Sequence, residues 1–549
     1  MGVPYYFKYL TTNISDCVVP HIHNIPTVLY LDFNSIIYEA RTLICSNIKY
    51  IDASKLVLEY AICEKVIELL TKIVDSIGAY KLHTLYIAID GVAPMAKMVQ
   101  QQQRRFKSAL EAKMIEEINA EEEFLEKSVS WDSNSITPGT KFMDRLVSHL
   151  EGFIELSKLA CPEITYILDS SYNPGEGEHK LFKYMDIHRS EHSDFQKVVY
   201  GLDADLIVLS LLRGYDNMYL YREASYYSFK LDEDYDYLFM NVKILRNAIV
   251  DEYWISELMD NEQRCMIDYV FLTFLLGNDF IPNLFILKIQ KGGFEKLNEL
   301  YCKGFHKYHS HLISKDYKIH TEFFRYILEG LYKIEDVELK ELLIDLNRFN
   351  PRLNPNISIR ERRIEMVHFY PKMIGEVDTI RIGQDGWRDR FYEYWLNGSP
   401  DKMMIQGMVE NYIEGLHWIL QYYVSGCPDW LWFYKFPVAP CLKDLLDIMR
   451  SSKERYLKHE FSLLPIDTDY NLLQLTLVLP KSSIKCVPKK WRHIVNHNNL
   501  WYLHPSEFQL KTLYKRYYHD CIAILPKINR NVLDVIKNLK QRLVDIVVL

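Results

Sequence analysis

Seven carboxylates stand where the strands of this chain are expected to end, and four of them come in pairs. Glu176 and Glu178 flank a glycine in NPGEGEH, and Asp203 and Asp205 flank an alanine in YGLDADLIVL. Single acids follow apolar runs at Asp32 (VLYLDFN), Asp90 (LYIAIDG) and Asp279 (FLLGNDF). Converging in one fold, like charges raise one another's pKa or demand a cation. Hard oxygen ligands in this number suit two ions of magnesium, with manganese as a substitute, and not zinc. The reaction that such a cluster most often serves is two-metal cleavage of a phosphodiester.

A second constellation is basic. Lys97, Gln101, Arg104 and Arg105 stand at i, i+4, i+7 and i+8, which on a helix puts all four on one face. A solvated cationic stripe is the ordinary explanation of such a face. Here the helix begins a few residues after Asp90, so its first turns should lie beside the acids. Arginine forks and a lysine at that place suit a terminal phosphate. In an extended loop, alternation would point Glu176 and Glu178 the same way. Asp203 alone could be a helix cap, but a second acidic i, i+2 pair weakens that reading. His179 reads as a supporting residue. Trp418, Trp430 and Trp432, taken singly, read as core before function, although aromatic rings do hold single-stranded bases by stacking.

The elements that must position these groups alternate in type. Val28–Leu31, Leu85–Ile89, Ile164–Leu168 and Val198–Tyr200 are strand-like runs. Helical spacing marks 34–42, 53–77 and a long polar segment from about Ala96 to Glu126. This alternation predicts an α/β fold with a mostly parallel central sheet flanked by helices. Ligands of such sheets bind outside the carboxyl ends of the strands, where Asp32, Asp90 and Asp203 fall. From Tyr332 to Arg390 the chain is charge-rich and broken by Pro351, Pro355 and Pro371, which reads as a connector with some helix. An aromatic region runs from Trp387 to Trp432, with a helix ending near Gly426, and Ile522–Leu525 reads as a late strand.

Composition sets outer bounds. The 549 residues carry a formal net charge of -8, which argues against coating nucleic acid through bulk positive charge. Lysines and arginines number 65, enough for a local basic channel. Ten cysteines without a CxxC spacing exclude a zinc knuckle signature. No apolar stretch approaches the roughly 20 residues that span a bilayer, and no leader pattern opens the chain. The expectation is a cytoplasmic monomer with no membrane contact.

Seven segments resemble the Xrn family of 5′→3′ exoribonucleases: MGVPYYFKYL, LYLDFNSIIY, AIDGVAPMAKMVQQQQRRF, SNSITPGTKFM, NPGEGEHK, YGLDADLIVLSL and FLLGNDFIPNL. They follow the family's order over about the first 290 residues, and weaker similarity continues through GLHWILQYYVSGCPDWLWFY. The resemblance implies a 5′ nuclease/PIN-like core with a helical, aromatic-rich second conserved region packed on it. The domains expected are 1–335 (nuclease), 336–390 (connector) and 391–549 (second region). It implies a metal site of Asp32, Asp90, Glu176, Glu178, Asp203, Asp205 and Asp279. It further implies a pocket of Lys97, Gln101, Arg104 and Arg105 for the 5′ phosphate of single-stranded RNA.

Departures from the family pattern carry expectations of their own. Tyr38 stands where the family has a histidine that stacks on the 5′ base, so a tyrosine ring is expected to stack there. Trp418 is the expected stacking partner, with Trp430 as rival. Met95 and Gln102 replace residues that are often arginine, so the pocket rim should be less positive, and Asn283 replaces a usual histidine. The chain stops where the second region ends, as a compact cytoplasmic or virus-encoded member would. Two alternatives stay open at this level: a structure-specific 5′ flap DNA nuclease, and a non-catalytic 5′-end-binding scaffold.

Overall fold

A computed structural model describes residues 5–23, 25–78, 81–121, 129–227, 235–253, 262–451, 470–529 and 531–547. The first four residues of MGVPYYFKYL and the expected helical extension over 122–126 lie outside these. The main sheet has the order β1-β7-β6-β5-β2-β3-β4. Its strands are β1 (Val18–Val19), β2 (Thr27–Asp32), β3 (Leu82–Ala88), β4 (Thr165–Asp169), β5 (Gln196–Tyr200), β6 (Met218–Glu223) and β7 (Tyr237–Asn241). From β6 through β5, β2 and β3 to β4 every pairing is parallel; β7 and β1 add antiparallel to one edge.

β2 lies at the middle of the parallel strands with all six residues buried, and β5 beside it is buried along its whole length. Strands covered on both faces must be apolar throughout, which is why VLYL and VVY read as continuous runs and not as alternation. From β2 the chain proceeds outward through β3 and β4, then returns to β5 and β6 on β2's other side. The order therefore reverses between β2 and β5. That switch point opens a crevice at the strands' carboxyl ends, and Asp32 terminates β2 at its edge.

The second conserved region is helical, with one short antiparallel pair, β8 (Gln509–Lys511) and β9 (Ile522–Ile524). Its long helix Lys402–Ser425 starts on Asp401, whose side chain accepts from Met404 N, and stops at Gly426 with φ 97°. One apolar core contains Leu206 and Ile207 behind β5, Phe280 beside Asp279, and Tyr412, Trp418 and Leu446 of the second region. A second cluster packs Leu472, Leu473 and Val478 onto Val92, Met95 and Met98. The second region thus packs on the start of helix Met95–Glu121.

The helix Thr321–Arg348 runs unbroken through the boundary expected at residues 335 and 336. Beyond it, helices Ile359–His368, Tyr370–Ile374 and Trp387–Leu396 occupy about half of the chain as far as Leu396. Phe324, Ile327, Leu328, Leu331, Leu339 and Leu342 form a buried stripe on the long helix under its charged outer face. Among the described residues no helix is long and apolar enough to cross a membrane.

Candidate active site

The acids reach the crevice from different elements. Asp32 ends β2, Asp90 follows β3, and Asp203 lies in the loop after β5. Asp205 opens the helix Asp205–Arg213, and Asp279 lies beyond the helix Glu262–Phe274. Glu176 is the N-cap of helix Gly177–Ile187 and Glu178 lies in its first turn. The two glutamates therefore do not share an extended loop, and their contacts differ. Glu178 joins Asp32 and Asp90, whose carboxylate oxygens all come within 4.8 Å of one another. Glu176 turns to Lys97 and Tyr422. Glu178 and Asp205 sit at helix N-termini, where the helix dipole favours negative charge.

Local contacts hold this arrangement. Asp90 Oδ1 accepts from Gly177 N at 2.7 Å, and its Oδ2 accepts from Asn34 Nδ2 at 2.5 Å. Asn34 Oδ1 accepts in turn from Asp90 N at 3.2 Å. Gly177 is required by space: a Cβ there would lie 2.9 Å from Asp32 Oδ1 and 3.1 Å from Ala88 O. At Gly91 a Cβ would fall 1.7 Å from Asn173 O, so the DG loop and the PGEGE loop can touch only through glycine. Gly91 N donates to Gly175 O and Gly175 N to Val92 O, at 2.9 and 2.8 Å.

The charges of this set oppose one another. Burial, then Asp90 and Asp203, holds the Asp32 carboxyl well above the usual range. Burial followed by Glu176 raises Glu178, and burial followed by Asp203 and Asp279 raises Asp205. Asp90 is raised by burial and by Glu176. Buried carboxylates that raise one another are stabilised by a cation. Acid oxygens within one ion's reach are donors that fit a hard divalent ion.

Lys97 lies against the acids and not in an open phosphate pocket. Its Nζ sits 2.5 Å from Glu176 Oε2 and 2.8 Å from Asp279 Oδ2. Gln101 is buried and its Oε1 accepts from Gln474 Nε2 at 3.1 Å; Gln474 Oε1 accepts from Ala93 N at 3.2 Å. Arg105 donates from Nη1 to Thr137 Oγ1 at 2.6 Å and from Nη2 to Ile136 O at 3.4 Å. The SNSITPGT segment thus serves to hold Arg105. Arg104, on the same face, is half-buried. Met95 and Gln102 are both buried, so they form wall and interior where a rim was expected. Asn283 Nδ2 donates to Leu284 O and Leu287 O at 3.0 and 2.9 Å, a structural clasp.

The aromatic expectations divide. Tyr38, on helix Asn34–Cys45, is 37% exposed, and its hydroxyl lies near Arg105. Trp418 is 0% exposed. Tyr422 stacks on it at 4.8 Å and Trp432 at 5.0 Å, and its Nε1 donates to Asp429 O. Trp418 therefore has no free face for a base, which corrects the expectation. Trp430 is half-buried, and its carbonyl accepts from Met95 N at 2.9 Å, at the mouth of the basic helix.

Sequence reasoning missed three groups. Asn34 lies two residues beyond Asp32, and that spacing was a usable signal. Tyr422 donates to Glu176 Oε1 at 2.5 Å, and the Tyr423 hydroxyl lies beside the Asp205 carboxylate. Burial, reinforced by these carboxylates, raises both hydroxyls well above the usual tyrosine range. Both come from the second region, and nothing in local sequence announces them.

A doubly wound sheet with seven acids at its switch point, beside a basic helix face, is the arrangement of an α/β enzyme that cleaves phosphodiesters. Residues 1–224 match the family model described as the XRN 5'-3' exonuclease N-terminus. Residues 259–353 and 359–546 match that of the Xrn1 helical domain. The chain belongs to the Xrn family of 5′→3′ exonucleases. A 5'-3' exoribonuclease 2 homolog of Drosophila melanogaster is 27% identical, over 96% of this chain and 69% of its own length. The 5'-3' exoribonuclease 1 of Saccharomyces cerevisiae is 26% identical, over 93% of this chain and 41% of its own. The human 5'-3' exoribonuclease 1 is 26% identical, over 96% of this chain and 33% of its own. The chain therefore spans about two thirds of the first of these relatives and less than half of the other two.

Proposed function

We propose that this 5′→3′ exoribonuclease removes nucleoside 5′-monophosphates one at a time from single-stranded RNA that bears a 5′ monophosphate. The observation that carries the reading is the juxtaposition at Lys97. One ammonium contacts two of the seven acids, and the same helix face continues into Gln101, Arg104 and Arg105. The group that chooses the end thus adjoins the group that cuts.

Asp32, Asp90 and Glu178 would hold one divalent cation, magnesium or manganese, and the remaining acids a second. Bound there, such ions activate a water as nucleophile and stabilise the leaving 3′ oxygen. The chain's own residues do the rest. Arg104 and Arg105 bind the terminal phosphate by charge-assisted hydrogen bonds, and Gln474 holds the Gln101 amide in place. Tyr38 and Trp430 supply rings against the first bases. The walls contributed by 402–425 and 470–478 admit an unpaired strand, exclude a cap, and favour processive digestion. Cytoplasmic RNA decay by a monomer is the setting proposed.

Replacing Asp203 and Asp205 together by alanine tests the site. Turnover of 5′-labelled RNA should fall by several orders of magnitude while the circular dichroism spectrum stays that of the parent. A folded double variant with near-parental turnover would sink the assignment. The flap-nuclease and scaffold alternatives have no specific observation in their favour.

A further inference from the structure

Adjacent residues of the helix Lys402–Ser425 reach two different acids. Tyr422 Oη donates to Glu176 Oε1 at 2.5 Å, and the Tyr423 hydroxyl lies beside the Asp205 carboxylate. Neither side chain is free to wander. The Tyr422 ring lies between His179, with centroids 3.9 Å apart, and Trp418 at 4.8 Å. Trp418 is itself backed by Trp432 and anchored through Nε1 to Asp429 O. The Tyr423 ring packs against Phe274 at 5.3 Å, and its carbonyl accepts from Arg213 Nη1 at 2.8 Å. Arg213 is in turn tied to Asp186 at 2.8 Å. Phe280, beside Asp279, contacts Tyr422 and Tyr423 edge-on at 5.4 and 6.5 Å.

From this geometry we infer that Tyr422 and Tyr423 are positioning residues for the metal centre: the second region sets the orientation of Glu176 and Asp205, with His179 and Trp418 as the buttress of Tyr422. This rests on the proposal that the acids hold divalent cations. It gives a role to the half-buried histidine and the buried tryptophan that base stacking leaves without one. It also makes the nuclease half dependent on the helical half for cation affinity, beyond any part the helical half plays in walling the substrate. Glu176 is shared between Tyr422 and Lys97, so one of its oxygens is fixed by a neutral donor and the other by a cation. A carboxylate held at both oxygens has one orientation to offer. Partners of metal ligands commonly contribute about 10–100-fold in metal affinity or activity.

The test uses the full chain with Tyr422→Phe, Tyr423→Phe and the double variant. Each change removes one oxygen and keeps the ring packing. Tyr412→Phe is the control: it lies on the same helix, is fully buried, and donates to Pro282 O and not to an acid. Manganese binding is measured without RNA, by the loss of the free Mn²⁺ signal in electron paramagnetic resonance. Thermal unfolding in EDTA is recorded alongside. Each single variant should bind manganese about tenfold more weakly and the double variant about 100-fold. Tyr412→Phe should bind like the parent, and all should unfold in EDTA at comparable temperatures. RNA turnover by the single variants should recover at high Mg²⁺. Parental affinity in both single variants would overturn the inference while leaving the metal reading intact. Failure of the parent itself to bind manganese would overturn both.

Discussion

Gly177→Ala separates two physical rules that point in opposite directions. Gly177 is the first residue of the helix Gly177–Ile187, and alanine is favoured over glycine in a helix, by at most the roughly 0.5–1 kcal/mol of an interior position. Propensity alone therefore predicts a more stable protein. The surroundings predict the reverse. The new methyl would meet Asp32 Oδ1 at 2.9 Å, Ala88 O at 3.1 Å and Asp90 Oδ1 at 3.4 Å. Ala88 O cannot retreat, because it belongs to β3 and accepts from Phe33 N at 3.0 Å. Relief to an ordinary contact asks for about half an ångström of movement, and the Asp32 carboxylate is the group able to supply it. Overpacking of this kind costs about 1–3 kcal/mol, which outweighs the gain in helix propensity. Moving a ligand also costs rate. A misplacement of about 1 Å is worth about 100-fold, so half of that is worth about tenfold. The assay is single-turnover cleavage of 5′-monophosphorylated RNA at saturating Mg²⁺, with thermal unfolding beside it. Gly152→Ala is the counterpart: it lies on the helix Lys141–Ala160 with nothing within 4 Å of its Cβ position. It should stabilise slightly and leave the rate unchanged. A Gly177→Ala protein that is both more stable and within about twofold of the parental rate would refute the reasoning.

Arg104→Ala should erase much of the preference for monophosphate over hydroxyl, triphosphate and capped ends; one charge-assisted contact is worth roughly 1.5–3 kcal/mol, or about tenfold or more, read from competition among the four ends. Trp430→Ala and Tyr38→Ala should each slow cleavage by about 1–3 kcal/mol, the range for a base stack, with Tyr38→Phe nearly silent. Trp418→Ala should instead destabilise the fold by about 3–5 kcal/mol, read from denaturant unfolding; equal stability with slowed turnover would restore it as a stacking residue. The raised carboxyls of Asp32, Asp90, Glu178 and Asp205 bind protons more tightly folded than unfolded. In EDTA, stability should therefore fall as pH rises from the usual carboxylate range toward their elevated values. Added Mg²⁺ should flatten that slope in the parent more than in Asp203→Ala/Asp205→Ala, as thermal unfolding across pH will show.

The central strands were legible because both faces of the sheet are covered, so VLYL and VVY had to be apolar throughout. The acids were legible because parallel strands end at the site. The helix face 97–105 was legible because spacing alone decides which residues share a side. The prolines of the expected connector marked real breaks: Pro351 and Pro355 fall between helices Thr321–Arg348 and Ile359–His368, and Pro371 lies in a first turn. The charge around them hid the buried stripe of the long helix. Trp418 and Trp430 could not be told apart, because both lie in one aromatic-rich stretch, and Trp418 is closed off only when Trp432 folds back onto the helix beside Tyr422. Glu176 and Glu178 look equivalent in GEGE, yet with a helix starting at Gly177 they make different contacts. Tyr422 and Tyr423 were invisible for the same reason: their partners lie more than 200 residues away.

The product of one reaction bears most directly on ordered, cation-dependent removal of nucleotides from the 5′ end. A 5′-monophosphorylated RNA of defined sequence is incubated with the full chain in Mg²⁺ and in EDTA, and the products are resolved by mass. Nucleoside 5′-monophosphates should be released in order from the 5′ end, with no reaction in EDTA. Oligonucleotides from internal cuts, or cleavage that persists without divalent cations, would contradict the proposed mechanism.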